Sequence, residues 1–186
     1  AEKALQAGAS IVNDISALTR DEHMAAVVAH TGASVVLMHN RAKTGAVNHD
    51  SKIGGQYEAP EYKDTIADVV NELKARADFA LKAGVARDKI ILDPGIGFGK
   101  TPEQNLALIA QLGRIKALGF PVLVGPSRKS FIGRILATTI DERLAGTAAC
   151  VAVAIMEGAD FVRVHDVKFM ARVVKMAAAL KKARCT

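Results

Sequence analysis

Five short apolar runs, each leading through polar residues into a helical stretch, set the frame of this chain. The runs cover residues 10–15, 34–39, 89–93, 121–125 and 161–165. Helical stretches are expected at 21–31, 61–83, 102–118, 141–157 and 168–183, with a shorter piece at 131–137. Gly8, Gly32, Gly84, Gly119 and Gly158 close helices just ahead of the next run, where an αβ connection favours a left-handed residue. Thr101 and Pro102 open one helix as cap and first-turn proline, and Glu103 complements its dipole. Strand, loop, helix, glycine, strand is the order of a parallel sheet with crossover helices. Polar groups gather where the runs end: Asn13 and Asp14; His39, Asn40 and Arg41; Asp93; Ser127, Arg128 and Lys129; Arg163, His165 and Asp166. An open doubly wound sheet binds near one switch point, whereas a (β/α)8 barrel draws its site from many strand ends. The expectation is an α/β chain of TIM-barrel type, a partial barrel of about five βα units. Residues 1–186 form one domain in this reading, and the chain opens mid-helix at Ala1, with N-terminal units absent.

Composition narrows the function. Of 186 residues, 50% are hydrophobic and 24% charged, enough for a substantial core. No apolar run is long enough for a membrane helix, and residues 1–11 lack a basic start and a cleavage pattern. Cys150 and Cys185 make no disulfide framework, which fits a reducing cytoplasm. The net charge is +6, yet aromatics are 4%, tryptophan is absent, and the densest basic cluster is Lys181, Lys182 and Arg184 at the tail. That pattern argues against nucleic acid and for a field that steers an anionic, phosphorylated small substrate.

The stretch from Lys89 to Lys100 (KIILDPGIGFGK) is the most telling. A buried strand ends on Asp93 and breaks into a glycine-rich loop, so a rigid element delivers a carboxylate to a rim where backbone approaches a ligand closely. Gly99-Lys100-Thr101 imitates the end of a phosphate-cradling loop, but the first glycine of that motif would fall on Pro94, which speaks against nucleotide hydrolysis. Residues 42–60 form one long irregular segment on the site side, in which His49 and Asp50 are expected to be solvated rather than ligands.

Arg163 and His165 alternate with Val162 and Val164, so they share a face and call for an anionic partner. Arg163 offers a fork for phosphate oxygens and a flat cation for a heterocycle; an ion pair with Asp166 is the structural alternative. Ser127-Arg128-Lys129-Ser130 precedes a helix and reads as an anion or carbonyl site. Asn13, on one face with Ile11 and Ile15, brings a carboxamide into an apolar wall. Asp93 suits paired N–H groups, unless it merely pairs with Lys129 or Arg163. Met38 and Phe98 suit the floor of a flat pocket, or simply the core. No ligand spacing supports a metal site, and no nucleophile–base pair is evident. The constellation fits a planar, polar, anionic substrate.

The ordered motifs IVNDI at 11–15, LMHNR at 37–41, LDPGIGFGK at 92–100, VGPSRKS at 124–130 and VRVHD at 162–166, with RLAGT at 143–147, closely resemble those of the dihydropteroate synthases. The resemblance implies a transferase of folate biosynthesis that condenses 6-hydroxymethyl-7,8-dihydropterin diphosphate with 4-aminobenzoate, giving dihydropteroate and pyrophosphate. It implies catalytic roles for Lys129, Arg163 and His165. Asn13 and Asp93 would bind the pterin edge, with Ile15 also among the substrate-binding residues. Met38, Phe98 and Gly125 would shape the pocket, and Ser127 would lie toward the aminobenzoate carboxylate. Lys129 would also flank that second site, while Arg163 stacks on the ring and, with His165, holds the diphosphate. The resemblance further implies Mg2+, its protein ligand lying in the absent N-terminal part, and a homodimer for the full-length form. Residues 42–60 replace a shorter connection common in the family. The chain as it stands is expected to be impaired in turnover and to expose an unpaired strand edge at 10–15. A methyltetrahydrofolate-using pterin barrel and a non-catalytic pterin-binding module are the alternative readings.

Overall fold

A computed structural model describes residues 1–42, 47–50, 54–57 and 60–184, the two short stretches as backbone only. In chain order its first elements are α1 (Glu2–Gln6), β1 (Ile11–Asp14), α2 (Met24–Thr31) and β2 (Ser34–Met38). Next come β3 (Val47–Asp50), β4 (Gly54–Tyr57), α3 (Thr65–Lys82) and β5 (Ile90–Asp93). The chain continues through α4 (Pro102–Ala110), α5 (Gly113–Lys116), β6 (Leu123–Val124) and α6 (Ser130–Leu136). It ends with α7 (Leu144–Met156), β7 (Phe161–Val162) and α8 (Val167–Ala183).

Strands β1, β2 and β5 pair in parallel in that order, and β6 pairs in parallel with β7. One bridge between Leu92 and Val122 joins the two groups. Each parallel strand therefore lies beside the next one in the chain, the running order of a (β/α)8 barrel and not of a doubly wound sheet. This is an α/β partial barrel. Its sheet is open at β1 and at β7, each of which has one neighbour among the described residues.

The two faces of the sheet have different chemistry. Val35, Leu37, Ile90, Leu92, Val122 and Val124 face outward and join Val69, Leu73, Ala77 and Leu108 of the helices in the main core. The alternate residues face the barrel interior: Asn13, Val36, Met38, Ile91 and Asp93, aligned by the registers Asn13–Val36–Ile91 and Met38–Asp93. Local signals hold the helices. The Asp64 carboxylate caps α3 by accepting from Ile66 N–H and Ala67 N–H at 3.0 Å each. Thr101 and Gln104 close a capping box on α4. Gly32 ends α2 at φ 67°, as expected of a left-handed stop.

Four expectations are corrected. The 102–118 stretch is two helices, because the chain breaks at Gln111 and resumes at Gly113, a poor helix former. The last strand stops at Val162 because β6, its pairing partner, stops at Val124; Arg163 N–H still donates to Val124 O at 3.0 Å. Within 42–60, β3 and β4 form an antiparallel ribbon, with Val47 opposite Tyr57, so the segment is not irregular throughout. The side chains of His49 and Asp50 lie outside the described residues. Finally, Asn13 does not enter a closed wall: Ile11 and Ile15 on its face are 51% and 41% exposed, since β1 is an edge.

Candidate functional site

The rim above β1, β5, β6 and β7 gathers the polar residues of four strand ends. Asp93 is fully buried at the end of β5. Gly95 N–H donates to its Oδ1 at 2.7 Å, and Arg163 Nη2 donates to its Oδ2 at 3.1 Å. Arg163 Nη1 in turn donates to Asn13 Oδ1 at 2.9 Å. Burial pushes the Asp93 carboxyl above the ordinary carboxylate value, opposed by Gly95 N–H, Arg163 and Lys100. Asp93 thus pairs with Arg163. The alternative pairing of Arg163 with Asp166 is overturned, because Asp166 receives Arg128 Nε and Nη2 at 3.0 and 2.7 Å.

Gly125 makes room for this arrangement. A Cβ there would sit 2.8 Å from Arg163 Nη2 and 3.3 Å from its Cζ, so the guanidinium lies against bare backbone. Gly97 does the same for Lys129, whose Cδ would be 2.8 Å from an added Cβ. The Lys129 ammonium stands 4.2 Å from the centroid of the Phe98 ring. Burial, then the like charge of Arg163, lowers the Lys129 pKa, and Asp93 opposes them. Asn13, Asp93, Phe98, Gly125, Lys129 and Arg163 therefore form one cluster with a carboxylate, a carboxamide and two cations around bare glycine backbone.

The other residues singled out lie around this cluster. Met38 is buried beside Asp93 in the β2–β5 register. Ile15 follows β1 and is exposed. Ser127 is buried, and its hydroxyl faces His165: Oγ lies 2.9 Å from Nδ1 and accepts His165 N–H at 3.1 Å. Arg163 and His165, expected to act on one face, meet different partners, Asp93 and Ser127. Arg128 does not point its charge at an anion site; it is bound to Asp166.

Sequence reasoning missed two supports of the glycine-rich loop. Lys100 is buried, and its ammonium donates to Gly95 O and Phe98 O at 3.0 Å each, tying the glycine loop from within. Burial pushes its pKa down to about 7, opposed by Asp93 and Glu72. Asn105 holds the same loop from α4, accepting Gly97 N–H at 2.7 Å and donating to Thr101 O at 2.8 Å. The resemblance of 99–101 to a phosphate-cradling loop ends here: the lysine turns into its own loop, and Thr101 caps a helix. Beside them, His39 Nε2 meets Glu72 at 3.0 Å, while Arg41 binds Glu72 and Asp68 and stacks 4.3 Å from the Tyr62 ring centroid. A lone lysine between Gly and Thr, or an Asn inside a helix, gives no sign of burial in the sequence. Among the described residues no three His, Cys, Asp or Glu side chains come together as a metal site.

Comparison with known proteins identifies the family. Residues 1–165 match the sequence family described as pterin binding enzyme. The dihydropteroate synthase of Synechocystis is 48% identical over 181 residues, covering 97% of this chain and 60% of the relative. Clostridium difficile dihydropteroate synthase, solved in the presence of pteroic acid, superposes with a TM-score of 0.84 at 37% identity, covering 96% of this chain and 62% of that one. The Xanthomonas albilineans enzyme with 4-aminobenzoic acid gives 0.83 at 36% identity, covering 96% and 60%. The chain spans about three fifths of the length of the relatives it matches.

Proposed function

The chain belongs to the pterin binding enzyme family, and we propose that it carries the pterin–diphosphate part of a dihydropteroate synthase site. The observation that carries this reading is the joining of Asp93, Asn13, Arg163 and Lys129 in one cluster on the inner rim. Asp93 is an acceptor for a ring N–H and an adjacent amino group, and Asn13 supplies a carboxamide that both accepts and donates. Arg163, flat against Gly125, covers a heterocycle or turns its fork to the diphosphate. Lys129 and Arg163 place positive charge where the C–O bond to the departing diphosphate breaks, which favours charge development on the leaving group. The arylamine of 4-aminobenzoate then forms the new C–N bond, releasing its proton to solvent or pyrophosphate. A neutral arylamine needs no general base.

Several further readings go with this one. His165, oriented by Ser127, holds the diphosphate. The Mg2+ implied by the resemblance would be held through a protein ligand outside this cluster and would neutralise charge on the diphosphate. One face of α8 exposes Phe169, Met176 and Leu180, which supports a homodimer in the full-length protein. The composition supports a cytoplasmic location. The reading is tested by competition at equilibrium. Labelled 6-hydroxymethyl-7,8-dihydropterin diphosphate is expected to be displaced by unlabelled ligand and by pyrophosphate at higher concentration, and not by methyltetrahydrofolate. Displacement by methyltetrahydrofolate with indifference to pyrophosphate would instead identify the methyltetrahydrofolate-using type of site.

A further inference from the structure

The turn that carries Ser127 and Lys129 holds a conformation that its own residues do not favour. Arg128 has φ 55°, the left-handed region that a residue with a Cβ rarely enters. Two contacts from the start of α7 fix both sides of that residue. Arg128 N–H donates to Thr147 Oγ1 at 3.1 Å, and Arg143 Nη1 donates to Arg128 O at 3.0 Å. Thr147 is fully buried and Arg143 is 1% exposed.

The packing around Arg143 is shaped to admit it. A Cβ at Gly133 in α6 would collide with the Arg143 guanidinium, and a Cβ at Gly146 would collide with Ile132. Burying a guanidinium is costly, and a helix start needs none. One group it reaches is the carbonyl of a strained residue one position before Lys129. The Arg128 side chain completes the clamp by its fork on Asp166, next to His165.

We propose that Arg143 and Thr147 are positioning residues that hold Arg128 left-handed and thereby aim Lys129 across Gly97 and Phe98 toward Asp93 and Arg163. The proposal deepens the pterin-site reading and rests on it for the ligand alone. It assigns a function to the RLAGT stretch.

Thr147→Val removes the hydroxyl acceptor at nearly constant volume, and Thr147→Ser keeps it. The first readout is the titration of the Lys129 ammonium in the ligand-free chain, followed by lysine side-chain NMR and assigned with Lys129→Arg. The second is the affinity for 6-hydroxymethyl-7,8-dihydropterin diphosphate. Thr147→Val is expected to move the Lys129 titration upward, toward that of a solvated lysine, and to weaken binding about tenfold. Thr147→Ser is expected to restore both. If Thr147→Val melts below the assay temperature, Arg143→Lys carries the same test, since it keeps the charge and loses the guanidinium geometry. A folded variant in which Lys129 titrates as in the parent overturns the proposal, even if its melting temperature falls. A parent that binds no pterin diphosphate would sink the functional reading instead, and the Lys129 titration would still decide this one.

Discussion

Asp93 is the residue on which the site turns, because it is buried, accepts from a backbone N–H and neutralises Arg163. Replacing it with Asn leaves Arg163 without its carboxylate and offers a donor where a ring N–H must be accepted. Asp93→Asn is therefore expected to lose about 3 kcal/mol of pterin binding, roughly a hundredfold in affinity. Binding calorimetry checks this, and an affinity within threefold of the parent would remove Asp93 from the site. His39 carries a prediction of another kind. Burial, followed by Lys100, pushes its pKa down to about 4, while Glu72 pulls upward. An unfolded imidazole titrates near 6.5, so the unfolded chain takes up that proton first as pH falls. The contribution is present above about pH 6.5 and is lost as pH drops toward 4, overlapping only at its acid end with protonation of Glu72. Urea midpoints at pH 7, 6 and 5 should fall in the parent and fall less in His39→Gln. The sequence shows charge but not burial: Lys100 and Arg143 look like surface cations there. It offered Arg163 two partners, Asp166 nearby and Asp93 70 residues away, and gave no local signal to choose between them; the structure selects Asp93.

At the scale of elements, the loop from Asp93 to Lys100 behaves as a rigid clasp. Its carbonyls are held by Lys100, Gly97 N–H is held by Asn105, and Tyr62 OH donates to Gly99 O at 3.1 Å. Gly97 has φ 81° and faces the stem of Lys129. Gly97→Ala should strain the loop and displace Lys129 together, weakening pterin binding by at least about tenfold. Unchanged affinity in a folded variant would show that Lys129 has room to give. The strands β1, β2 and β5 and four of the five main helical stretches were legible because apolar runs and cap residues are local signals; the break of 102–118 at Gln111 was not. The ribbon of β3 and β4 was not. Val-Asn-His-Asp and Gly-Gly-Gln-Tyr carry no alternation of apolar residues, and flat, glycine-rich strands specify little. The early end of β7 was hidden for a different reason, since a strand stops where its partner stops.

At the scale of the molecule, an eight-stranded barrel closes on itself and has no edges, whereas the described strands of this sheet leave two. Ile11 and Phe161 stand on those open strands at 51% and 45% exposure. The isolated chain is expected to self-associate through them, and Ile11→Lys to shift sedimentation toward the monomer with little change in melting temperature. Equal sedimentation of the two would place the association elsewhere, with the apolar face of α8 next in line. The barrel order was readable from the recurring unit, and the open edge followed from counting those units. The central claim is that the inner-rim cluster is already a formed pterin–diphosphate pocket in this chain. Its most direct test is calorimetric titration with 6-hydroxymethyl-7,8-dihydropterin diphosphate, using Lys129→Ala and Arg163→Ala as controls. The account predicts saturable binding in the parent that is lost in both variants. A folded parent that takes up no ligand, or variants that bind as well as the parent, would contradict it.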